Sequence, residues 1–294
     1  MSESKNHQQS NVQTHKQREL ELLQSTSIFD VELSARCNIS CIMCPRKKLK
    51  RRLKIMSLDS IKVLIDWLPN NAQAMLCGLG EPLLNNHIFF LIASLKKRGI
   101  VVGITTNGLL LTENNIDTLI NIGVDLIQVS LNGSTEEIYN AIMRNGSFKT
   151  VNKNLRYLAK NKTASLTIKL TVTVQDQNKN DIKNIQAMAA EFGLEVFLRK
   201  QHSRAGAISS GSPQVVHSSG CGIFPKVTFI AANGNVLSCC QDLAGEYVLG
   251  NINCNKFASI LDRKKCIIDQ GHWFPICKYC DDEYRHLLLA YDIV

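Results

Sequence analysis

From Ile28 to about residue 200, six short β-rich runs alternate with segments whose apolar residues recur at helical spacing. No other feature of the 294-residue chain constrains its fold as strongly. The runs are Phe29–Leu33, Gln73–Leu76, Ile100–Thr105, Leu126–Leu131, Leu166–Val174 and Glu195–Leu198. Ile61, Leu64, Ile65 and Leu68 form an apolar stripe between the first two, as do Ile182, Ile185, Met188 and Phe192 before the last. Ser57 and Asp59 supply an N-cap and a first-turn acid. Gly99 and Gly193 fall where helices should stop. Strands joined through helices, with no hairpin signal among them, pair in parallel. Six such units are two short of the eight that close a barrel. The expected fold is α/β: a partial (β/α)6 TIM-like barrel over residues 28–200.

The flanking sequence has a different character. Residues 1–27 are mostly polar and read as a flexible N-terminal extension, helical at most from Arg18 to Leu23. Residues 201–220 are rich in Ser and Gly and read as a linker. Residues 221–294 are expected to form a small C-terminal domain containing a β-hairpin. Its strands would be Val227–Ala231 and Val236–Ser238, turning at Asn233-Gly234. Residues 1–19 contain no secretion signal. The longest apolar run, Ile88–Leu95, is far short of the roughly 20 residues that span a bilayer. The expectation is a cytoplasmic protein without a membrane partner.

Net charge is +9, but residues 46–54 (RKKLKRRLK) hold seven of the basic side chains, leaving 27 basic against 25 acidic elsewhere. The excess is therefore one local loop. It is either solvated or a landing site for an acidic substrate or an electron donor. Without interleaved aromatic residues it does not suggest nucleic acid.

Eleven cysteines in a chain with no export signal point to metal or redox chemistry rather than disulfides. Cys37, Cys41 and Cys44 follow the first expected strand as C-x3-C-x2-C, at the end where barrel enzymes carry their active groups. Thiolates favour iron–sulfur clusters and zinc. Structural zinc takes four ligands, whereas a cluster held by three leaves one iron open. A second set comprises Cys221, Cys239, Cys277 and Cys280, and its spacing fits zinc and iron–sulfur equally. The Gly234-x4-Cys spacing favours Cys239, with its neighbour Cys240 as the alternative ligand. Cys77, Cys240, Cys254 and Cys266 are left over, and spare thiols usually serve as small apolar side chains.

The motifs RCNISCIMCPR (36–46), GLGEPLL (78–84), TTNGLLL (105–111) and VSLNGSTEEIYNAIMR (129–144) together resemble the radical S-adenosylmethionine (SAM) superfamily. The resemblance implies a four-iron, four-sulfur (4Fe–4S) cluster on Cys37, Cys41 and Cys44, whose open iron chelates SAM. Reduction of that cluster cleaves SAM to methionine and a 5′-deoxyadenosyl radical. It also implies that Leu79, Gly80, Glu81 and Pro82 match the motif for the SAM amino group. Ser130 and Asn132 match positions near the ribose and carboxylate, and Arg144 is a partner for the carboxylate. Met43 stands where the family often has an aromatic residue against adenine, and Leu79 replaces the first glycine of Gly-Gly-Glu-Pro.

CGIFP, NGNVLSCC, LGNI and CKYC, between Cys221 and Cys280, resemble the auxiliary-cluster extension called SPASM. No cysteine follows Cys280, which matches the shortened, Twitch form with one auxiliary 4Fe–4S cluster held by Cys221, Cys239, Cys277 and Cys280. The implied cofactors are therefore SAM and two 4Fe–4S clusters, with flavodoxin or ferredoxin as electron donor. The shortened extension is similar to that of an aminocyclitol alcohol dehydrogenase of the butirosin pathway. That similarity favours two-electron oxidation of a small hydroxylated molecule, with the auxiliary cluster as electron acceptor. One alternative is peptide modification by crosslinking or epimerisation, for which a 27-residue extension is short to hold a leader-binding domain. Another is a non-catalytic zinc-binding protein. Cys77 is the candidate hydrogen donor, and Arg204, beside His202 after the sixth strand, is a candidate to pair with substrate oxygen or take its proton.

Overall fold

The computed structural model describes residues 15–25, 27–49, 51–208, 220–271 and 274–290. The chain is helical over residues 15–24 (α1). The barrel elements follow: β1 (Ile28–Val31), α2 (Leu58–Trp67), β2 (Gln73–Leu76), α3 (Ile88–Lys97), β3 (Val101–Thr106), α4 (Glu113–Asn121) and β4 (Leu126–Ser130). Next come α5 (Glu136–Ile142), α6 (Phe148–Asn161), β5 (Thr167–Val174), α7 (Ile182–Glu191) and β6 (Glu195–Lys200). The last part holds the short α8 (Ile223–Lys226), β7 (Val227–Ile230), β8 (Asn235–Leu237), β9 (Val248–Asn251), α9 (Phe257–Gln270) and α10 (Tyr284–Ala290).

Local chemistry accounts for the helix ends. Ser57 caps α2 by accepting from the Ser60 amide, and Thr112, Thr135 and Ser147 cap α4, α5 and α6 in the same way. Gly99 and Gly193 follow α3 and α7 at φ 73° and 61°, a left-handed conformation that costs glycine nothing.

Among the described residues, nine strands form one open sheet in the order β6-β5-β4-β3-β2-β1-β7-β8-β9. The expected parallel arc is present, and β7 extends it by pairing in parallel with β1, Asp30 opposite Phe229. β8 and β9 then add antiparallel. The hairpin thus continues the barrel sheet instead of standing apart from it. β1 would otherwise offer an unpaired edge, and β7 satisfies its backbone groups. β1 itself stops at Val31, two residues before the expected run ends. Ala35 N–H donates to the Lys54 carbonyl and Met56 N–H to the Leu33 carbonyl, so the chain leaves the sheet to pair with the returning loop.

One face of the arc packs on the helices: Phe29, Val31, Leu76, Ile104, Ile127 and Leu170 have no exposure. Phe29 also meets Trp67 of α2 and Phe257 of α9, with ring centroids 6.2 and 5.2 Å away. The Trp67 indole N–H donates to the Asn255 carbonyl at 2.7 Å. This contact fastens the C-terminal part to the barrel.

One expectation about the flanks needs correcting. Residues 15–24 are not a free extension: Glu19, Leu22 and Leu23 are buried, because the helix turns its apolar stripe onto the protein. Of the linker read over 201–220, residues 209–219 lie outside the described residues. Among the described residues, no helix is long and apolar enough to cross a membrane.

Candidate active site

The inner face of the arc encloses a cavity of ≈ 590 Å³. That is within the usual size of a pocket for a small ligand. Cys37, Cys41 and Cys44 face it from the loop after β1. The loop is docked on the end of α5: Ser40 N–H donates to the Arg144 carbonyl and Ile42 N–H to the Ile142 carbonyl, at 2.8 and 3.0 Å. Burial raises the Cys37 thiol, and burial with Cys44 and Cys37 alongside pushes Cys41 up to about 12. Desolvated thiols such as Cys37 and Cys41 ionise together only with strong positive charge among them, which an iron–sulfur core would supply. Cys41 Sγ lies 3.4 Å from Met143 Sδ, whose other side receives the Asn132 amide at 3.1 Å.

Gly78–Glu81, after β2, form the adjoining wall. Glu81 is 1% exposed and accepts from the Leu83 N–H (3.2 Å), the Thr106 hydroxyl (2.8 Å) and the Asn107 N–H (2.9 Å). Burial raises its carboxyl pKa against those bonds. Gly80 passes so close to the next loop that a Cβ would stand 1.9 Å from the Ser34 carbonyl oxygen. Only glycine permits this approach. The Asn107 amide donates to Asn38 Oδ1 at 2.7 Å and lies 3.7 Å from Cys37 Sγ, linking this wall to the thiols.

Met43, Leu79, Ser130 and Asn132 also line the cavity. Two of the expected SAM contacts do not. Pro82 is buried as the first residue of a short 3-10 turn, and Arg144 carries an exposed side chain outside the cavity wall. Arg144 contributes through its backbone carbonyl, which holds the cysteine loop. A contact assigned by motif order needs the side chain to turn inward, and this one lies beyond the end of α5.

Cys77 faces the cavity from the end of β2, and its thiol donates to the Asp30 carboxylate on β1. Desolvation raises Asp30 to about 6 and takes the Cys77 thiol well above its ordinary value. Asp30 was not anticipated. A signal for it exists, since a carboxylate between two fully buried residues, Phe29 and Val31, belongs on the opposite face of the strand. Arg204 also lines the cavity, at φ 55°. His202 sits on the same wall with Nε2 4.0 Å from Asp282 Oδ2 and Nδ1 3.5 Å from the Gln241 amide. Burial, reinforced by Arg204, lowers His202 to about 4.

The four cysteines of the second set are not part of the cavity lining. Cys239 is within electrostatic reach of Cys221, which is likewise within reach of Cys277 and Cys280. Cys240 lines the cavity near Cys77, and its thiol also hydrogen-bonds with that of Cys239. Burial pushes Cys221 up to about 12 and raises Cys277 and Cys280. The backbone around the set is braced from two sides. Glu19 of α1 accepts from the Cys221 N–H at 2.7 Å. Arg285 donates to the Gly220 and Cys277 carbonyls at 2.7 and 2.6 Å. Cys254 and Cys266 are exposed. The donor chemistry of both sets fits iron–sulfur clusters, three thiols opening on a cavity and four outside its lining, while among the described residues no three such side chains are placed to hold a single metal ion.

Comparison with known proteins agrees. The family model of the radical SAM superfamily matches residues 31–189. That of SPASM, an iron–sulfur cluster-binding domain, matches residues 221–281. Curated relatives include a GTP 3′,8-cyclase from Chlorobaculum tepidum, 31% identical over 179 residues that cover 56% of this chain and 51% of that protein. Another is the tungsten-containing aldehyde ferredoxin oxidoreductase cofactor-modifying protein from Pyrococcus furiosus, 26% identical over 175 residues (57% and 49%). A third is a mycofactocin maturase from Mycolicibacterium smegmatis, 28% identical over 164 residues (55% and 41%). The chain thus spans about half the length of the curated relatives it matches. Among solved structures, BtrN in complex with AdoMet and 2-DOIA superposes with a TM-score of 0.61 at 19% identity, covering 88% of this chain and 94% of BtrN. SuiB of Streptococcus suis, bound to the precursor peptide SuiA, gives 0.66 at 14% identity, covering 86% and 66%. At these identities the structures attest the fold, a partial TIM-like barrel. The chain belongs to the radical SAM superfamily and carries a C-terminal SPASM/Twitch-type iron–sulfur extension.

Proposed function

We propose that this chain is a radical SAM oxidoreductase that removes two electrons from a small hydroxylated molecule. When bound, SAM and a 4Fe–4S cluster on Cys37, Cys41 and Cys44 supply a 5′-deoxyadenosyl radical, and an auxiliary 4Fe–4S cluster on Cys221, Cys239, Cys277 and Cys280 supplies an electron acceptor. The observation that carries the reading is the continuity of one ≈ 590 Å³ cavity. Its lining runs from the first thiol set to Cys240, His202 and Asp282, which are neighbours, in sequence or by contact, of the second set. A substrate held there has the radical source on one side and the electron acceptor toward the other.

The chain's own residues bind, orient and exclude. Glu81, fixed by three donors, presents a carboxylate edge to the SAM amino group, with Ser130 and Asn132 toward its ribose and carboxylate. Met43 offers a soft contact for the adenine face. Arg204 is placed to pair with substrate oxygen, and Cys77 to give a hydrogen atom where the reaction calls for one. The enclosing barrel keeps water and reductants from the radical. Flavodoxin or ferredoxin serves as the electron donor.

The alternative substrate class is a peptide, consistent with the precursor peptide bound by SuiB and with the maturase among the relatives.

Anaerobic reconstitution followed by reduction tests the reading. The loaded protein is expected to hold about eight irons, as two four-iron clusters, and to release 5′-deoxyadenosine from SAM. Bound zinc with no SAM cleavage would overturn the enzyme reading. Four tightly held irons would remove the auxiliary acceptor and with it the oxidation.

A further inference from the structure

Lys264, on the inner side of α9, is the one described lysine with no exposure. Its ammonium donates to the Val227 carbonyl at 2.8 Å and the Thr228 hydroxyl at 3.0 Å, and lies 5.7 Å from the centre of the Phe224 ring. Among the described residues no carboxylate lies within ion-pair distance of it. A buried cation with neutral acceptors alone is costly, and buried charges in proteins are normally paired. The acidic groups within its electrostatic reach are Cys239 and Cys221, two members of the second cysteine set. Burial lowers Lys264 to about 7 against the upward pull of Cys239 and Cys221. The cation therefore has no carboxylate partner, and the acidic groups that act on it are two thiols of the second cysteine set.

We propose that Lys264 is the built-in counter-charge of the auxiliary site and raises the reduction potential of the cluster held there. The proposal rests on the reading that Cys221, Cys239, Cys277 and Cys280 hold an auxiliary iron–sulfur cluster. Four thiolates outweigh the charge of an iron–sulfur core, so the loaded site is an anion and becomes more negative on reduction. A fixed cation in a low-dielectric setting stabilises the reduced form more than the oxidised one. α9 thus biases the auxiliary cluster toward taking an electron. The two hydrogen bonds to Val227 and Thr228 hold the ammonium in place at the start of β7.

The test isolates the auxiliary cluster in the full chain by combining Cys37→Ala, Cys41→Ala and Cys44→Ala. Lys264, Lys264→Arg and Lys264→Met forms are then compared in that background. After anaerobic reconstitution each is expected to hold about four irons. EPR-monitored redox titration of the Met form should give a potential lower by about 59 mV or more. That is a tenfold loss in the reduced-to-oxidised ratio at fixed potential. The Arg form, which keeps the charge, should stay near the parent. Equal potentials for the Lys and Met forms would overturn the proposal. A background protein without iron would overturn the auxiliary reading itself, a separate outcome visible in the metal count.

Discussion

The basic run at residues 46–54 shows how differently neighbouring charges are used. Arg51 turns inward and grips Glu32 with both guanidinium nitrogens, at 2.5 and 2.7 Å, with side-chain exposures of 14% and 7%. Arg46 donates to the Ile39 carbonyl and Lys48 to the Ala207 carbonyl, whereas Lys47 is exposed. Removing one member of a buried pair strands the other, a loss of about 3–5 kcal/mol. Lone surface changes stay within about 0.5 kcal/mol. Arg51→Ala is therefore expected to lower stability by about 3 kcal/mol in urea unfolding, while Lys47→Ala leaves it unchanged. His202 makes a second residue-scale prediction. Its folded pKa, about 4, lies below the ordinary 6.5, so between those values the unfolded chain binds the extra proton. Its contribution is thus intact above pH 6.5 and is lost as pH falls toward 4. Urea midpoints measured across that window should fall less steeply for His202→Gln than for the parent chain. At this scale the sequence showed which residue types were present, but not that Arg51 turns inward or that Arg144 points away.

At the level of elements, α1 matters more than its polar sequence suggests. It closes over the second cysteine set, and Glu19 holds the Cys221 amide at 2.7 Å. Burial raises that carboxyl to about 7, so it is frequently protonated and works as a hydrogen-bond acceptor more than as a charge. Glu19→Gln, which retains an acceptor oxygen, should behave like the parent. Glu19→Ala leaves a buried N–H unpaired, a cost of about 1–3 kcal/mol. It should lose iron from the auxiliary site faster than from the first, as read by chelator-challenge kinetics. The helix caps at Ser57 and the stops at Gly99 and Gly193 were legible beforehand, because capping is local chemistry. The packing of α1 was not, since Glu19 meets a residue more than two hundred positions away.

For the molecule as a whole, the barrel and the C-terminal extension share one sheet and one core. Phe29 of β1 touches α2 and α9 at once. Phe29→Ala is expected to cost about 3–5 kcal/mol. It should weaken both cysteine sites together, with iron released from both in a single unfolding transition. Independent release from the two sites would show that the shared sheet does not couple them.

The sequence by itself determined the parallel arc, the order of its units and the two cysteine sets, because each is written in local periodicity and short spacings. Only the tertiary structure decided that β7 continues the sheet against β1, that the Cys239 and Cys240 thiols hydrogen-bond with each other, and that Asp30, Cys77 and His202 line one cavity. These depend on strand pairing and side-chain direction between segments far apart in the chain. Pairings of that kind are selected by burial and backbone satisfaction over the whole fold, which no local pattern encodes.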